Sequence, residues 1–208
     1  FNLFLRKVMN GVHSGTARTA FDNNHSDYYS VALDRNSLRP GVVYADPYGH
    51  TFVIVRWIPQ TRKEPGILLA VDAQPDGTIA IKRFWKGNFL FNTKEVVGEP
   101  GFKAFRPIRY ESGILVPLKN QELTNASGYV PSSDQQRNME PADFYHTMER
   151  LINPEPMDPE NALANLIRAL HEQLQVRVNS VSNGEVFFRD HPGKVIPMPS
   201  SANGIFQT

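Results

Sequence analysis

The 208 residues contain no cysteine, which removes disulfides, thiolate metal sites and a cysteine nucleophile from within the chain. No apolar run approaches the roughly 20 residues of a membrane-spanning helix. The opening Phe1-Asn2-Leu3-Phe4-Leu5 segment is too short and wrongly flanked for a signal peptide. No run of Lys and Arg marks a polyanion-binding arm, so the charged residues read as solvated faces and no nucleic-acid partner is expected. Also missing are the G-x-S-x-G elbow, the P-loop, the G-x-G-x-x-G turn and H-E-x-x-H. The sequence supplies no evident metal or cofactor site.

What is present has the balance of a globular domain, 40% hydrophobic and 21% charged, with a mean hydropathy of -0.38, and enough length to bury one substantial core. Pro 16 and Gly 14 favour a loop-rich fold over a helix bundle. The net charge of +1 hides an asymmetry: residues 1–110 carry 15 Lys/Arg against 9 Asp/Glu, and residues 111–208 carry 7 against 12. Two modules are therefore expected, an α+β core over 1–118 and a helical extension over 119–208. The chain opens on Phe1 and closes on Ile205-Phe206-Gln207-Thr208, which reads as a piece of a longer protein.

Leu3, Leu5, Val8, Met9 and Val12 recur at near-helical spacing, predicting a short amphipathic helix packed on a sheet. After the Pro40-Gly41 turn signal, strands are expected at 42–44, 51–58, 67–71 and 78–85, punctuated by Asp46-Pro47-Tyr48-Gly49 and Gln74-Pro75-Asp76-Gly77. Together they form an antiparallel meander. A weak strand follows at 114–116, residues 119–140 read as loop, and Glu140-Pro141 opens a helix that Asn153-Pro154-Glu155-Pro156 ends. Asp158-Pro159-Glu160 starts another, with Leu163, Leu166, Ile167, Leu170 and Leu174 on one face. Residues 176–181 and 185–188 read as a terminal hairpin around Ser182-Asn183-Gly184.

His50 begins one strand while Asp72 and Gln74 close the next. If those strands pair, a histidine and an orienting polar residue become neighbours, the arrangement that holds a general base in one tautomer. Each also has a plainer reading, His50 as a turn cap and Asp72 as an Asx turn. His25 between Asp22 and Asp27 reads as a hydrated loop, and His146 and His171 as helix-surface or packing residues. Tyr48, Trp57 and Trp85, among other aromatics and beside Arg56, Lys82, Arg83 and Lys86, suit either substrate stacking or core packing.

Pro40-Gly41-Val42-Val43, followed by Gly49-His50-Thr51-Phe52-Val53-Ile54-Val55 and then an apolar strand ending in a polar residue, resembles the core of the NlpC/P60 and CHAP group of papain-like domains. The resemblance covers about residues 38–84. It implies an amidase or peptidase acting on peptidoglycan peptides or related amides, in a bacterial, extracytoplasmic setting, with His50 as base and Asp72 or Gln74 as its orienter. The family's cysteine nucleophile, at the start of a helix before these strands, has no counterpart here. Three explanations stay open: a cysteine upstream of Phe1, a hydroxyl such as Ser14 in its place, or a noncatalytic relative that binds a glycan or protein partner through an aromatic-basic sheet face or an edge strand.

Overall fold

A computed structural model describes residues 1–11, 14–73, 79–94 and 98–195. The fold is α+β, with helices, an antiparallel six-stranded sheet and a separate two-stranded hairpin. The chain divides into two compact units, one of residues 1–60 and 66–155, the other of residues 61–65 and 156–208. The boundary thus falls after Glu155 and not at 118. The reason is the helix α3 (Pro141–Ile152), whose Phe144, Met148 and Ile152 are buried in the core of the first unit.

Six strands build the large sheet: β1 (Tyr28–Ser30), β2 (Val43–Ala45), β3 (Thr51–Ile58), β4 (Ile67–Ala73), β5 (Ile79–Arg83) and β6 (Gly101–Phe105). Their order is β1-β6-β2-β3-β4-β5. The expected meander from β2 to β5 is there, and β6 and β1 extend it beyond β2. Neither of these two strands was expected. A lysine in the middle of Gly101-Phe102-Lys103-Ala104-Phe105 disguises β6 as exposed loop, yet Lys103 is fully buried. Its ammonium donates to the Thr19 carbonyl and the Ser30 hydroxyl and lies 4.3 Å from the Phe21 ring centre. Gln136 stitches the following loop to the same strands, donating to the Val31 and Phe102 carbonyls while its Oε1 accepts from the Phe102 amide.

One face of the sheet carries Tyr44, Phe52, Ile54, Leu68, Ala70 and Phe102, and packs against Phe89, Phe91 and α3. Phe91 and Phe144 stack with ring centres 4.0 Å apart. The opposite face presents Val43 and Ala45 to Ala17 and Tyr28. Ala17 closes a 3-10 turn at Ser14–Ala17. A β-bulge between Ile54 and Arg56 shifts the register of β3, so that Trp57 pairs with Leu68 and rejoins the core face.

The helix α1 (Asn2–Gly11) forms as its spacing predicts, but Leu3, Phe4 and Leu5 are exposed, so these side chains do not make the expected packing on the sheet. Residues 119–140, read as loop, contain the short helix α2 (Asn120–Leu123). The hairpin β7 (Ile108–Glu111) and β8 (Ile114–Pro117) turns through Ser112-Gly113, both at positive φ.

In the second unit, the helix α4 (Pro159–Asp190) runs without a break through the residues expected to form the terminal hairpin. Its start is as read, with Asp158 accepting from the Asn161 amide. The hairpin fails because Leu170, Leu174, Val178 and Val181 continue the three- and four-residue spacing of a helix face, and Gly184 costs only about 1 kcal/mol in a helix interior. Arg168 pairs with Glu64 at 3.0 Å, and Asn165 donates to the Lys63 carbonyl. No side chain of α4 is buried.

Candidate functional site

The turn between β2 and β3 is built by its first residue. Asp46 accepts from the Tyr48 amide at 2.6 Å through Oδ1, and from the Gly49 amide at 3.4 Å through its carbonyl. Its own amide donates to the His50 carbonyl at 2.9 Å. Gly49 sits at φ 123, a conformation that L side chains rarely adopt. The chain is thereby reversed within four residues and delivers His50 to the end of β3.

Strand register does the rest. Phe52 pairs with Asp72 on β4, and His50, two residues before Phe52, lies on the same side with its ring centre 6.2 Å from that of Phe52. His50 Nδ1 is 3.2 Å from Asp72 Oδ2 and 3.5 Å from Oδ1. Asp72 is buried, its side chain 3% exposed, while the His50 side chain is 53% exposed. A carboxylate held at Nδ1 favours the tautomer protonated there, which leaves the lone pair on Nε2 as the basic position. Lys82 Nζ approaches Asp72 at 3.9 Å. The expected pairing of His50 with Asp72 is made; Gln74, the other expected orienter, lies outside the described residues.

Sequence reasoning missed Asp46. It is 3% exposed, and burial raises its carboxyl above the ordinary range, opposed by the Tyr48 amide and by the charges of His50 and Arg18. Arg18 also donates to the Pro47 carbonyl at 3.1 Å, holding the turn from behind. Asp-Pro-Tyr-Gly was legible as a turn, but nothing local says that its aspartate is covered.

The three expected binding aromatics are not brought together. Tyr48 is exposed within the turn that presents His50. Trp57 is seven residues further along β3, about 23 Å at strand rise, with its indole N–H donating to the Leu38 carbonyl and Arg35 stacked 4.0 Å over its ring. Its role there is packing. Trp85 follows β5 at the same far end, where the Phe84 amide donates to the Leu68 carbonyl.

Ser14 lies on the 3-10 turn whose Ala17 packs against Val43 and Ala45, the face opposite Phe52 and Asp72. A nucleophile must reach its base within about 3.2 Å, and among the described residues no hydrogen bond joins Ser14 to His50. His25 is in an exposed Asx turn, its amide donating to Asn23 Oδ1. Among the described residues no group of three His, Asp or Glu side chains could hold a metal ion, and no helix is long and apolar enough to cross a membrane. Comparison with protein-family models, with curated proteins and with solved structures finds no match.

Proposed function

We propose that His50 and Asp72 are the base and orienter of a papain-like amide hydrolase of the NlpC/P60 type, acting on peptidoglycan peptides or related amides. The observation that supports this reading is the short contact between a half-exposed imidazole and a buried carboxylate at the end of paired strands. In that role Nε2 takes a proton from the attacking group and later returns it to the leaving amine, while Asp72 holds Nδ1–H and stabilises the imidazolium. The 208 residues contain no thiol, so a cysteine nucleophile would come from sequence outside them. The absence of a thiol also favours a second reading, a noncatalytic module that binds a glycan or protein partner.

The experiment compares peptide-amide hydrolysis by the protein in its natural sequence context with that of His50→Ala and Asp72→Asn. For the hydrolase, His50→Ala lowers the rate about 100-fold or more, with thermal stability nearly unchanged. Asp72→Asn lowers the rate as well, through loss of the carboxylate that orients His50. Full activity in His50→Ala overturns the hydrolase reading, and an inactive parent protein that still binds muropeptide supports the module.

A further inference from the structure

A shallow cleft opens at the end of β4 away from His50, lined in part by Leu68, Trp85, Arg83, Lys86, Glu149 and Asn153. Leu68 is four residues from Asp72, about 13 Å along the strand. The cleft is therefore a place of its own. The geometry points to a binding site for a pyranose that carries one carboxylate, a sugar of the uronic-acid type, with Trp85 as its stacking platform.

Three features carry this. Trp85 is 55% exposed, and its indole lies over Gly87: a Cβ added there would fall 2.1 Å from Trp85 Cη2, so the absence of a side chain at 87 is what lets the indole lie there. An exposed indole in the lining of a cleft offers an apolar surface to the C–H face of a sugar ring. Second, Arg83 and Lys86 flank it, and among the described residues neither has an ion-pair partner. Third, the acceptors and donors that sugar hydroxyls need are on the facing wall. Glu149 offers a carboxylate, and Asn153, whose Oδ1 accepts from the Gly66 amide at 2.7 Å, keeps its amide NH₂ to donate.

Two cations and one carboxylate leave the cleft a single positive charge, which matches one carboxylate on the ligand. A phosphate dianion would meet Glu149 uncompensated. This assignment does not depend on the role proposed for His50.

Binding is read from the two tryptophan indole N–H signals by NMR, with methyl glucuronide, methyl glucoside and acetate as probes. Methyl glucuronide is expected to shift the Trp85 signal saturably and to leave that of Trp57, whose N–H is held by Leu38, unmoved. Methyl glucoside should bind about 10-fold more weakly, the order of one lost charge-assisted hydrogen bond. Arg83→Gln with Lys86→Gln should bring the two sugars to equal affinity, and His50→Ala should change neither. The retained Trp57 signal reports that each variant is folded. No shift at Trp85, equal binding of the two sugars by the parent protein, or the same shift with acetate alone overturns the proposal.

Discussion

Lys103 puts an ammonium group where water does not reach. Burial lowers its pKa from 10.5 to about 7, with Glu99 acting in the opposite sense. Above about pH 7 the folded chain therefore holds the amine neutral, while the unfolded chain keeps it protonated up to about 10.5. Over that window the unfolded state binds the extra proton, so folding stability rises with pH through it, and is lowest, as far as this residue goes, once pH has fallen below about 7. Urea midpoints measured at several pH values inside the window should climb for the parent protein, and Lys103→Met should flatten that climb. An unchanged slope in Lys103→Met would assign the pH dependence to other groups.

Among the elements, β6 depends most on its neighbours. Gly101 sits at φ 106, and a Cβ there would be 2.2 Å from Gln136 Oε1. Gln136 cannot step aside, since it is fully buried and bonded to both Val31 and Phe102. Gly101→Ala should destabilise the protein by about 2 kcal/mol or more, seen as a lower denaturant midpoint with unchanged slope. These same contacts explain which elements were legible. The meander was, because β3 and β4 are alternating or continuously apolar runs between turn signals, and its register placed His50 beside Asp72. The strand β6 was not, because its central lysine is solvated by Ser30 and Thr19, residues more than 70 positions away. The bulge in β3 likewise turns the partly buried Trp57 against the core, and Val176 to Val181 carries a β-branched composition on a helical spacing. Asp46 was recognisable as a turn former, whereas its burial depends on tertiary packing.

For the molecule as a whole, the core formed by the described residues lies within the first unit, and α4 buries no side chain. Ending the chain after Glu155 should therefore leave the thermal transition of the sheet-containing unit within a few degrees of that of the full chain, measured by near-ultraviolet circular dichroism; a large loss would mean that residues 156–208 support that core. The strand order has a further consequence for how the chain acquires its shape. The meander joins strands that are close in sequence, but the inner strand β6 pairs Gly101 with Ala45 and Phe105 with Tyr28. During synthesis, β2 must wait with one edge unpaired until more than fifty further residues have emerged. Closing so long a loop is slow relative to hairpin formation, and the half-built sheet spends that interval as a template for strands of other nascent copies. Refolding yield should fall as concentration rises, through capture at the open flank of β2.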